Sequence, residues 1–293
     1  MLDFSKIKTI PIKQRKSKVR LNDLIIPENS KVLVNSTDFN ELIEKIIYAY
    51  KNQIILMMGA HVIKTGMSLL IIDLMKKGVI KHVAMNGAGP IHDFELALIG
   101  KTSEYVEQTI QDGTFGMIEE TGSMLNEAIK EGAENNFGMG FAIGKKIDDL
   151  NLPNKEYSIL WNAYKLNIPV TVHVAIGTDI IHQHPICDGA AVGKTSYDDF
   201  KIFAESVSKL EDGVVLNLGC AVILPEVFLK ALTIVRNLGF KVENITAANL
   251  DMIDHYRPRE NVVQRPTSLG GEGFIIIEKH EKTIPTLHRK IVD

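Results

Sequence analysis

The sequence predicts an α/β fold, a mainly parallel sheet with helices on both faces, and three observations carry that prediction. Apolar runs of strand length alternate with amphipathic runs of helix length, glycines stand where apolar strands give way to loops, and no internal repeat or low-complexity segment breaks the alternation. In order, residues 37–51 (TDFNELIEKIIYAYK) place apolar side chains at helical spacing behind a Thr/Asp cap signal. QIILMMGAHVIKTG and KHVAMNGAG then read as strands ending in glycine turns, with the helix SLLIIDLMKKGVI between them, the grammar of a right-handed βαβ unit. The same grammar returns with SILWNAYKLN (helix), IPVTVHVAIGTD (strand), SYDDFKIFAESVSKL (helix) and GVVLNLGCAV (strand). PEVFLKALTIVRNLG, with Pro at its start and Gly at its end, reads as a helix before the strand KVENITAANLD. The stretch from Asp112 to Phe141, with GTFGM and FGMG, reads as a lid or interface loop.

Composition sets the outer limits. At 293 residues, 45% hydrophobic and 24% charged, the chain has enough apolar material for a large core. The expectation is a basic arm over residues 1–30, packing on a neighbour, and a single domain over 31–293. The start lacks the apolar core of a signal peptide and the longest apolar runs fall short of a membrane span, so a soluble, cytoplasmic protein is expected. Cys187 and Cys220 are too few for a disulfide framework, and a net charge of −3 argues against general nucleic-acid binding.

Parallel sheets of this kind bind ligands at the carboxyl ends of their strands, where Gly59, Gly87, Gly89, Gly177 and Gly219 would converge. That is a Rossmann-like arrangement suited to a nicotinamide dinucleotide, although Gly87-Ala88-Gly89 lacks the GxGxxG spacing. The helix after Pro90 carries His92, Asp93 and Glu95. The densest polar chemistry lies in Gly177-Thr178-Asp179 through His182, His184 and Cys187, residue types that serve a polar active-site loop, a zinc site or a purely structural turn. Asp251, Asp254 and His255 follow the last predicted strand, and carboxylates there suit ribose hydroxyls or a cationic substrate.

From about Gln53 to about Pro258 the chain resembles the deoxyhypusine synthase family. The resemblance is carried by MMGAHVIKTG, VAMNGAGPIHDFE, SILWNAYKLNIPV with Asp179 at the acidic position, Leu218-Gly219-Cys220-Ala221, Thr246-Ala247 with Asp251 and Asp254, and Arg257-Pro258. It implies NAD as cofactor, transient oxidation of a polyamine, transfer of an aminobutyl group through an imine on an enzyme lysine, and a homotetramer. The chain departs from the family where that lysine belongs, because none stands between Lys241 and Lys279. Glu226 is the nearest equivalent of a histidine the family carries after its glycine turn.

The resulting expectation is an NAD-dependent enzyme, transferase- or lyase-like, acting on a small polar or cationic amine but not making deoxyhypusine. NAD is expected at Gly59, Ala60, Thr65, Gly87, Ala88, Gly89, Asp93, Gly219, Thr246, Ala247 and Asp251, and substrate at His92, Asp254 and His255. Catalysis is expected from His182, His184, Asp179 and Glu226, with no resident metal. A metal-dependent hydrolase or lyase using His182, His184 and Cys187, or a non-catalytic NAD-binding protein, are the alternatives.

Overall fold

The computed structural model describes residues 2–293. Its strands are β1 (Ser17–Arg20), β2 (Ile54–Met58), β3 (His82–Asn86), β4 (Lys101–Glu104), β5 (Val170–His173), β6 (Val214–Leu218), β7 (Thr246–Asp251) and β8 (Glu272–Ile277). The helices are α1 (Thr37–Tyr48), α2 (His61–Lys64), α3 (Ser68–Lys76), α4 (Ala88–Ile99), α5 (Val106–Thr109), α6 (Glu119–Asn135), α7 (Met139–Asp149), α8 (Ile159–Leu166), α9 (Gly189–Val207), α10 (Ile223–Asn237), α11 (Tyr256–Pro258), α12 (Arg265–Thr267) and α13 (His280–Val292), with a π-helical turn over Arg259–Gln264.

Six strands form one parallel sheet in the order β5-β3-β2-β6-β7-β8. Counted along the chain this is 3-2-1-4-5-6, the doubly wound Rossmann order, so the path reverses between β2 and β6. Period-2 alternation divides the central strands between two cores. Ile54, Leu56 and Met58 pack with Leu42, Leu70, Phe94 and Ile284 on one face, while Ile55, Met57 and Val215 pack with Phe203, Phe228 and Val262 on the other. Every residue of β2 is buried, as a central parallel strand covered on both sides requires. Among the described residues, no helix is long and apolar enough to cross a membrane.

One segment differs from expectation, and a second can be described only within its own chain. The stretch from Asp112 to Phe141 is mostly the 17-residue helix α6 rather than a loop. Its glycines let helices and side chains close in: a Cβ on Gly122 would come within 2.1 Å of the His184 ring, and one on Gly132 within 2.8 Å of Ala142. The basic arm lies on its own chain, with β1 antiparallel to β4, Ile10 bridged to Ile118 and the Ile12 N–H donating to Glu120 at 2.7 Å.

Asp199 on α9 ties the sheet to α7. Its Oδ2 accepts the N–H groups of Gly140 at 2.9 Å and Val172 at 2.7 Å, and burial pushes its pKa from 3.8 up to about 8. Between those pH values the folded chain holds a proton that the unfolded chain has lost, so this group's contribution to stability declines as pH rises from about 4 to about 8. Asp199→Asn removes that slope. Urea titrations are expected to show the variant gaining on wild type between pH 6 and pH 8, two points inside that window; a constant difference refutes the assignment.

Candidate active site at the carboxyl edge of the sheet

The chain reversal between β2 and β6 opens the crevice where such folds take their ligands. Gly59 leaves β2 with its N–H donating to the Leu218 carbonyl at 2.9 Å, and Gly219 leaves β6 with its N–H donating to Leu250 at 3.1 Å. The two turns touch: a Cβ on Gly59 would lie 2.3 Å from the Gly219 carbonyl oxygen, and Gly219 itself has φ +63°. Ala60 opens α2, and Thr65 closes it by donating its hydroxyl to the His61 carbonyl at 3.0 Å. Asp251 ends β7, 7% exposed, and the buried ring of His280 stands over Gly219. These residues fit a dinucleotide: the strand order, small residues at the strand ends, a carboxylate at the next strand end and an orphaned buried imidazole all occur together. The expected phosphate-binding helix start after Gly87 is absent in one respect, because the Asn86 side chain already accepts the Gly89 N–H at 3.2 Å.

Beside this crevice, at the ends of β3 and β5, lies a cavity of about 210 Å³. Arg15, Lys64, Glu95, Glu104 and Asp179 supply its charge, and His92 and Ala88 line it as well. Asp179 enters because residue 87 is glycine: a Cβ there would lie 2.0 Å from its Oδ2. Burial raises Asp179 to about 6 and also raises Glu104, which accepts the Gly116 N–H at 3.4 Å. Glu95, 1% exposed, is paired with Arg15 and accepts the hydroxyls of Thr102 at 2.6 Å and Thr121 at 2.9 Å. With its one proton given to Glu95, Thr102 accepts from Nδ1 of His92 at 2.7 Å, so Nε2 is the unprotonated nitrogen of that ring. Burial holds His92 neutral, with its pKa lowered to about 4. Lys64 makes no ion pair among the described residues.

The loop expected to catalyse contributes less. His182 accepts the N–H groups of Gly177 and Asp179 on Nδ1, both at 3.2 Å, while its Nε2 is buried without a partner. The Nε2 of His184 donates to the Gly116 carbonyl at 2.9 Å and its ring packs on Gly122. Cys187 sits before Asp188, the cap of α9, and burial raises its thiol pKa. His182, His184 and Cys187 are not assembled as a ligand set; among the described residues no group of three or more His, Cys, Asp or Glu could hold a metal ion.

Other expected site residues lie elsewhere. Asp93, fully buried and raised to about 6, caps α8 through Ser158 and the N–H groups of Ile159 and Leu160 at 2.7 and 3.1 Å. Thr246 and Ala247 begin β7, roughly 17 Å of strand from Asp251 and at the opposite edge of the sheet. Gly89 lies in α4 against Met85. Glu226 on α10 is partly exposed and held by Lys230, Arg257 and Asn261. Asp254 is an exposed partner of Arg259, and His255 precedes α11 on the same surface loop. Sequence reasoning missed Arg15, Glu104 and His280; Glu95 was within reach, because it stands three residues after His92 on the same helix.

No family model and no curated protein matches the sequence. Solved structures do match by shape. A conserved LOR/SDH candidate protein from Methanococcus maripaludis superposes with a TM-score of 0.52 at 17% identity over 92% of this chain and 73% of its own. A candidate deoxyhypusine synthase from Entamoeba histolytica gives 0.52 at 12% identity over 88% of this chain and 87% of its own. AgrE in a ternary complex with ornithine and NAD+ gives 0.55 at 11% identity over 89% of this chain, which spans only 34% of AgrE. At these identities the likeness is one of fold, and the resemblance read from the motifs holds at that level: the chain has the Rossmann-like fold that these three proteins share.

Proposed function

We propose that the chain is an NAD-dependent enzyme that oxidises a small amine transiently in the cavity beside the dinucleotide crevice. The observation that carries this reading is the pairing of a Rossmann switch point with a cavity holding two buried carboxylates, Asp179 and Glu104, and a histidine whose Nε2 is free to accept a hydrogen bond. AgrE's complex with ornithine and NAD+ on the same fold supports the choice of an amine and of NAD. When bound, NAD supplies the hydride acceptor. Asp179 and Glu104 bind the cationic amine and orient its carbon toward the crevice. Asp179, raised by burial to about 6, receives the proton released from the amine, and the unprotonated Nε2 of His92, held in that tautomer by Thr102 and Glu95, accepts a hydrogen bond from it. The chain lacks a lysine between Lys241 and Lys279, which argues for a reaction other than deoxyhypusine synthesis.

A thermal-shift series tests both halves. NAD is expected to raise the melting temperature. Asp179→Asn is expected to keep that response and to weaken amine binding to the NAD-loaded protein about tenfold or more. No response to millimolar NAD refutes the cofactor assignment, and unchanged amine affinity in Asp179→Asn refutes the substrate assignment.

A further inference from the structure

His280 opens α13 immediately after the edge strand β8, and its ring is fully buried. Neither ring nitrogen has a hydrogen-bond partner. The other fully or nearly buried histidines do: His82 bonds Ser206 and Thr171, His173 bonds Thr171, His184 bonds Gly116, and His288 bonds Ser30 and Asp73. An unpaired buried polar group costs about 1–3 kcal/mol, so a ring with two of them is poorly explained by packing alone. Its position gives it another use. Nε2 would come within 2.4 Å of a Cβ on Gly219, the residue at which the chain leaves β6 beside the reversal point. His61, after β2, lies across from it with ring centroids 5.8 Å apart, and the carboxylate of Asp251 ends the adjacent strand β7.

We propose that His280 is a binding residue for the dinucleotide, and that the bound diphosphate is the partner its ring lacks in the unliganded chain. The inference rests on the NAD reading above. A neutral imidazole has one N–H to donate and one lone pair to fill. A dinucleotide offers phosphate oxygens for the first and ribose hydroxyls for the second, and its diphosphate crosses such sheets at the reversal point. Gly219 matters for the same reason, since a side chain there would occupy the place of the ring.

The test is calorimetric titration of NAD, ADP-ribose and adenosine into wild type, His280→Leu and His280→Gln. His280→Leu is expected to bind NAD and ADP-ribose at least about tenfold more weakly, with adenosine unchanged. His280→Gln, which keeps a donor, is expected to recover most of the loss. The melting temperature of unliganded His280→Leu is expected to equal or exceed that of wild type, because two orphaned groups are removed. Should the leucine variant not fold, nitrogen-15 NMR of the wild-type imidazoles, assigned with His280→Gln, gives the same answer: ADP-ribose must shift the His280 resonances. Equal affinity in the leucine variant, or a His280 signal unmoved by bound ADP-ribose, overturns the inference while leaving NAD binding intact. Wild type that binds neither NAD nor ADP-ribose overturns the cofactor reading itself.

Discussion

Gly59→Ala is expected to lower stability by about 3 kcal/mol, the upper part of the range for forcing atoms into a filled site. The added methyl would lie 2.3 Å from the Gly219 carbonyl oxygen and 3.1 Å from its carbon, and both belong to backbone. A flexible side chain could rotate away, whereas these atoms are fixed by two parallel strands. The Gly59 N–H is bonded to Leu218, the Gly219 N–H to Leu250, and β2 and β6 pair along their whole length. Relief must therefore come from parting the strands where the crevice begins. Urea denaturation is the measurement, and the midpoint should fall with little change in slope. A loss below about 1 kcal/mol, typical of a surface substitution, would mean that the two turns can separate freely.

Arg15→Met is expected to cost about 3 kcal/mol or more through a different mechanism, an uncompensated buried charge. The guanidinium of Arg15 is 3% exposed and paired with Glu95, whose side chain is 1% exposed, with a second carboxylate, Glu104, at 4.0 Å. Removing the cation leaves two buried carboxylates facing each other, with only hydroxyls and a backbone N–H to hold them. Adding Glu95→Gln to Arg15→Met should restore most of the loss, because it removes one of the two stranded charges. A surface ion pair would lose only about 0–1 kcal/mol in the single variant and show no rescue in the double one.

The alternation of strands and helices was legible because each element carries its own pattern. Ser36 and Ser158 cap α1 and α8, apolar residues recur at helical spacing, and β2 is an uninterrupted apolar run. The sixth strand and last helix were less legible. EGFIII opens on Glu and Gly behind a glycine pair, and α13 contains Pro285, so the segment bearing His280 showed neither pattern strongly. Strand direction bears on another pair of residues. Thr246-Ala247 has the composition of a ligand-binding turn, but in a parallel strand function gathers at the carboxyl end, where Asp251 stands. The polar residues of the cavity separate by partner rather than by type. His92 and His184 look alike in sequence; one nitrogen of His184 is taken by a carbonyl from α6's approach, while His92 is oriented by Thr102 from β4. Arg15 belongs to the basic arm, and no local pattern signals its pairing with Glu95, which lies 80 residues away.

That arm changes when the cavity can exist. One wall of it is Arg15, delivered by a segment whose anchors are a bridge from Ile10 to Ile118, one bond from Ile12 to Glu120 and the short ribbon of β1 with β4. None of these contacts is made with a strand of the six-stranded sheet. Undocking the arm would expose Glu95 and open the cavity to water. A sub-global opening that released the arm would dismantle the cavity and leave the strand pairing of the sheet in place.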